Sequence, residues 1–160
     1  MGGAMPGAPN GMPAGLPAPE APPAGLGVAW ALPKGWTQER GSGMRFATIR
    51  TAEGLEISVV TLGGAAGGEL ANVNRWRGQL GLAPADEASL AKDRLAVTSA
   101  AGQIGVFDLV GPGESASRMI AGILSVPDAN TWFFKLTGGA KALEGAKPEF
   151  VRFLESLRLE

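Results

Sequence analysis

Apolar and polar positions along this chain change period several times, and each change marks an element. Val28–Leu32, Met44–Thr51 and Leu55–Leu62 are rich in strand-forming residues. They are parted by turn-type runs at Pro33-Lys34-Gly35, Gly41-Ser42-Gly43 and Ala52-Glu53-Gly54. Alternation is clearest in the second run: Met44, Phe46, Thr48 and Arg50 fall on one side, Arg45, Ala47, Ile49 and Thr51 on the other. From Glu69 to Leu82 the period becomes helical, with Leu70, Val73, Trp76 and Leu80 on one apolar arc. Asp86–Lys92 adds a short helical turn. Leu95–Ser99 and Gln103–Val110 read as a hairpin around Ala101-Gly102. Met119–Val126 and Thr131–Thr137 form a second pair around Pro127-Asp128-Ala129-Asn130. A closing helix starts at Pro148, a residue suited to a first turn, and runs to about Arg158 with Phe150, Phe153, Leu154 and Leu157 inward. Short links between successive strands predict an α+β fold: a mainly antiparallel sheet with helices packed on it.

Composition divides the 160 residues in two. Residues 1–27 hold seven Gly, seven Pro and a single charge, Glu20, with no apolar period. Pro lacks an amide donor and Gly carries the largest chain entropy, so the composition predicts a flexible tether ahead of one domain spanning 28–160. Without Glu20 the domain has 14 basic and 14 acidic residues, so no net positive field exists to hold nucleic acid. His, Cys and Tyr are all absent. That excludes disulfides, thiolate or imidazole metal ligands, Cys nucleophiles and Ser-His-Asp triads within the chain. No apolar run reaches the length of a membrane span. The tether is of the kind that follows a lipoprotein signal, which gives the expectation of a lipid anchor upstream of Met1.

Side-chain chemistry concentrates in Asn72-Val73-Asn74-Arg75-Trp76-Arg77-Gly78-Gln79. Asn72, Arg75 and Gln79 recur at i, i+3 and i+7, a stripe bordering the apolar arc. Arg supplies a planar donor fork and the amides supply donors and acceptors together, so the stripe suits a carboxylate or a partner's backbone. The same groups equally suit pairing with neighbouring loops. Trp36, after a turn, is a candidate rim anchor. Gly63-Gly64-Ala65-Ala66-Gly67-Gly68 lacks the Gly-Lys-Ser/Thr of a phosphate loop and reads as a tight connection. Among the carboxylates, Asp108 stands out between Phe107 and Leu109 in an apolar strand, facing a groove or paired with an Arg.

Trp30-Ala31-Leu32-Pro33-Lys34-Gly35-Trp36 is similar to the opening segment of the PsbP-like family. The order that follows resembles it too: a strand pair, a helix, an antiparallel sheet, the strand Thr131-Trp132-Phe133-Phe134-Lys135-Leu136, and a terminal amphipathic helix. Ala71–Gln79 looks like a stretch found in bacterial proteins of that type. The resemblance implies an α/β/α sandwich and supplies no catalytic residues or cofactor. The sequence therefore predicts a non-catalytic module of the periplasm or cell envelope. It would bind a protein partner through Asn72, Arg75, Arg77, Gln79 and Trp36. The alternatives are a cytosolic adaptor, or a hydrolase or isomerase with Asp108 or Glu56 as base, which requires an enclosed pocket and a raised carboxyl pKa.

Overall fold

Turn residues fold the strand-forming runs back on one another, and the resulting sheet carries the rest of the chain. The computed structural model describes residues 27–159 apart from Met44, Ala65, Glu114, Ser115 and Asp128. The predicted tether, but for Gly27, lies outside the described residues. In chain order the elements are β1 (Val28–Ala29), β2 (Thr37–Arg40), β3 (Arg45–Arg50), β4 (Glu56–Gly63), α1 (Gly68–Gln79), α2 (Glu87–Asp93), β5 (Leu95–Ser99), β6 (Gly102–Val110), β7 (Ser117–Ser125), β8 (Asn130–Gly139), α3 (Ala140–Glu155) and β9 (Arg158–Leu159). Strands β2 to β8 form one seven-stranded sheet in the order β2-β3-β4-β8-β7-β6-β5, and β1 pairs with β9 in a separate ribbon. Every pairing is antiparallel. The α+β prediction holds, and both hairpins lie where the turn residues placed them.

Two apolar clusters sit on opposite faces of the sheet. On one, α3 sets Leu143, Ala146, Phe150, Phe153 and Leu154 against Ile49, Ile57, Val59, Ile104, Ile120, Leu124, Phe134 and Leu136. On the other, Val73 and Trp76 of α1 and Leu90 of α2 cover Phe107, Leu109, Met119, Ala121, Ile123 and Phe133. The second cover lies mainly over β6, β7 and β8 and reaches Val60 and Leu62 of β4. The same face over β2 and β3 carries Glu39, Arg50 and Arg45, all well exposed.

Three sequence expectations need correction. Only Val28–Ala29 of the first predicted strand pairs. Trp30 leaves the ribbon, donates its indole N–H to Gln38 Oε1 at 2.8 Å and stands edge-on to Phe46, Trp132, Phe134 and Phe153. The simple alternation of β3 also fails. Its register against β4 slips between Arg45 and Ala47, so Phe46 is an extra residue and joins Ala47 and Ile49 on the α3 side. Arg45 is thereby placed with Thr48, to whose hydroxyl it donates at 3.1 Å. Finally, α3 starts at Ala140, not Pro148, which lies inside it. Pro148 removes a helical N–H donor at a cost of ~3 kcal/mol. Burial of Leu143, Ala146, Phe150, Phe153 and Leu154 offsets that, since each large apolar side chain contributes about 1.5–3 kcal/mol.

Candidate functional site

Helix α1 follows a tightly coiled connection in which Gly64, Ala66, Gly67 and Gly68 all have left-handed φ, between 52° and 89°. Only Gly adopts that region without strain, which explains the glycine-rich run. Helix α1 has no side-chain cap at its start. Asn72 braces the connection from within the helix: its Nδ2 donates to the carbonyls of Ala66 at 2.9 Å and Gly68 at 2.6 Å. Buried, with its amide nitrogen committed to these carbonyls, Asn72 is a structural member of the predicted stripe and not a contact for a partner.

The same motif ties down the segment leaving α1. Asn74 exchanges two hydrogen bonds with the backbone of Ala85, and Arg77 Nε donates to the Ala83 carbonyl at 2.6 Å. Asn74 had no assigned role in the sequence, and its engagement depends on where the α1–α2 link returns. What remains outward on the motif is Arg75 and Gln79, both exposed. Trp36 is corrected outright. It is only 6% exposed, packs on Phe153 with ring centroids 5.5 Å apart, and donates its indole N–H to Glu149 at 3.3 Å. Residue 36 is therefore part of the α3-side core rather than a rim anchor.

The two candidate bases are both ion-paired. Asp108 accepts two hydrogen bonds from Arg118, at 2.7 and 2.6 Å, and one from Lys147 at 2.9 Å. Burial by itself would raise the Asp108 pKa, but the Arg118 and Lys147 donors outweigh it and hold the carboxyl below its ordinary value. That is opposite to what a general base there needs. Glu56 bridges Arg45 at 2.8 Å and Arg50 at 3.5 Å. The Arg118 guanidinium also bonds Glu144 and the Ala140 carbonyl, so this cluster fastens the start of α3 to the sheet.

A different group of side chains converges where α1 ends its cover of the sheet. Strand register sets Thr48 beside Ser58 and Ser58 beside Lys135, one row across β3, β4 and β8. The Lys135 Nζ lies 5.5 Å from the centre of the Trp76 ring, a cation–π distance. Arg75 precedes Trp76 on α1, and Arg45 reaches the row through Thr48. Burial lowers the Lys135 pKa from its ordinary value, and the like charges of Arg75 and Arg45 lower it further. Among the described residues neither Lys135 nor Arg75 has an acidic partner. By contrast Arg45, Arg50, Arg94, Arg118 and Lys147 are each paired. Sequence reasoning missed Lys135. The signal was a lone charge in the apolar strand Trp132-Phe133-Phe134-Lys135-Leu136, the same feature that singled out Asp108.

Shallow grooves surround this frame. One, of about 400 Å³, lies between α1 and α2 and is lined by Glu69, Leu70, Glu87, Leu90, Ala91 and Arg94. The Arg94–Glu69 pair within it, at 3.1 Å, rests on Gly105, where a side chain would collide with it. Among the described residues no helix is long and apolar enough to cross a membrane.

No family model and no curated protein matches the chain. Solved structures do. LpqN, described as involved in cell envelope biogenesis of Mycobacterium tuberculosis, matches with a TM-score of 0.52 at 12% identity, over 86% of this chain and 85% of that one. A Bacteroides thetaiotaomicron protein matches with a TM-score of 0.50 at 12% identity, over 83% of this chain, which spans only 45% of that longer one. Cyanobacterial PsbP (CyanoP) from Synechocystis covers 83% of this chain and 86% of its own at 14% identity, with a TM-score of 0.41. At such identities the fold is what is shared. The element order agrees with the sequence expectation: strand pair, helix, antiparallel sheet, terminal helix.

Proposed function

We propose that this chain is a non-catalytic binding module of the bacterial cell envelope. It engages a protein partner through the exposed Arg75 and Gln79 of α1, together with Lys135 on the neighbouring sheet. The observation that carries the reading is the setting of Lys135: a half-buried ammonium over the Trp76 ring, beside the like charges of Arg75 and Arg45, with no carboxylate partner among the described residues. Holding a half-buried ammonium beside two guanidinium groups costs stability, and a site that is costly to the fold is a reasonable place for function. Arg77 lies on the same helix but is committed to Ala83, so it buttresses the face.

The envelope setting draws on LpqN, whose fold is similar and whose described role is in envelope biogenesis. It also draws on the Gly/Pro/Ala composition of residues 1–27, which would act as a spacer to a lipid anchor upstream. The test is affinity capture from envelope fractions with the full chain, comparing wild type with Arg75→Ala/Gln79→Ala. A specific protein recovered by the wild type and depleted about tenfold by the double variant supports the reading. Equal recovery by both, with folding unchanged, refutes it.

A further inference from the structure

We infer that the end of α1 and the row of residues beside it on β3, β4 and β8 frame a cleft that binds a carboxylate, in which Arg75 and Lys135 together receive an Asp or Glu side chain from an acidic segment of the partner. The inference rests on the protein-binding reading above and names the chemistry of that contact. Its floor is the row Thr48–Ser58–Lys135, fixed by strand pairing, and its wall is the end of α1 carrying Arg75 and Gln79. The Lys135 ammonium stands over the Trp76 ring, 5.5 Å from its centre, a cation–π contact that holds it in place. A guanidinium on one side and an ammonium on the other give charge-assisted donors, the strong class of hydrogen bond. The Thr48 hydroxyl accepts from Arg45 and so has its own proton free to donate. Ser58 stands between Thr48 and Lys135 in the same row and supplies a second hydroxyl.

Charge decides the class of ligand. Arg45 and Arg50 are neutralised by Glu56 and approached by Glu39, leaving two positive charges uncompensated on this part of the face. One or two carboxylates match that balance. An anionic lipid surface would bring many negative charges against Glu39 and Glu56 as well, and the whole chain carries a formal charge of −1. An incoming carboxylate would also relieve the repulsion among Lys135, Arg75 and Arg45, so binding and restoration of an ordinary lysine pKa go together.

The test uses the full chain with its lysine Cε resonances followed by NMR. The probes are a flexible Gly/Ser decapeptide containing two Glu, its Gln counterpart, inorganic phosphate, and phosphatidylglycerol vesicles. The Glu peptide should shift the Lys135 resonance and raise its titration midpoint, with salt weakening the effect. The Gln peptide should not. Lys135→Met and Arg75→Gln should each weaken the Glu peptide about tenfold or more, while Lys92→Gln, on α2 away from the cleft, should leave it unchanged. Equal binding of Glu and Gln peptides, or unchanged affinity in Lys135→Met, overturns the inference. Tighter binding of phosphate or of vesicles than of the Glu peptide overturns the carboxylate assignment. If the envelope partner is captured equally by wild type and Lys135→Met, this inference fails while the binding-module reading stands. If no partner is captured but the Glu peptide binds as described, that reading fails and the site survives.

Discussion

Replacing Asp108 with Asn tests whether the ionic cluster under α3 carries the weight that its geometry implies. Three donors converge on this carboxylate, two from Arg118 and one from Lys147, all within 2.9 Å. Arg118 is 9% exposed, and its other acidic partner, Glu144, is 75% exposed and therefore weak. Removing one partner of a buried pair costs about 3–5 kcal/mol. Asn keeps one acceptor oxygen, and Asp108 is not wholly enclosed, which favours the low end of that range: about 3 kcal/mol, or roughly 10 °C in Tm for a domain of this size. Urea unfolding followed by Trp fluorescence measures it. A double variant supplies the control: Asp108→Leu/Arg118→Leu removes the buried pair together, leaving only the more exposed Lys147 and Glu144 without partners, and should recover part of the loss.

Acid titration adds an independent reading of the same contact. Burial opposes ionisation of Asp108, but Arg118 and Lys147 win, so the folded pKa lies below the ordinary 3.8. The stabilisation is therefore complete above about pH 3.8 and fades as the pH falls through the lowered folded value. Asp108→Asn should flatten the wild-type decline in that window. A loss under about 0.5 kcal/mol, or an acid limb identical to wild type, would refute the reasoning.

Two further outcomes follow from the packing and one from the cleft. Gly41→Ala places a methyl on the Arg45 carbonyl at the β2–β3 turn, where backbone cannot yield; a loss above about 2 kcal/mol is expected in urea unfolding. Gly105→Ala meets only the tips of Arg94 and Glu69, at 2.7 Å, and these can swing aside, so its cost should stay near or below about 1 kcal/mol in the same assay. Lys135→Met should raise Tm at neutral pH, because burial, Arg75 and Arg45 all disfavour the ammonium. Wild type should then gain on the variant as pH rises from the lowered folded pKa towards 10.5, since the unfolded chain binds the proton more tightly; calorimetric scans across that range measure it.

Local rules wrote much of this fold into the chain. Alternation and turn residues located β4 to β8, and the apolar arc on Leu70, Val73, Trp76 and Leu80 located α1. The isolation of Asp108 among apolar neighbours left a groove or an Arg partner as its setting, and the fold supplies Arg118. Such features are legible because strand period, turn chemistry and the cost of an unpaired buried charge act over a few residues. Tertiary contact decided the remainder. Trp36 looked like a surface aromatic, but Glu149 and Phe153, more than a hundred residues on, bury it. Pro148 looked like a helix start until Leu143 and Ala146 found the sheet and drew the preceding turns into α3. The Phe46 bulge, the loop-tying of Asn72 and Asn74, and the approach of Lys135 to Arg75 all depend on strand register and helix docking. A one-residue slip would turn Lys135 to the opposite face, so no local pattern could specify the cleft that it shares with α1.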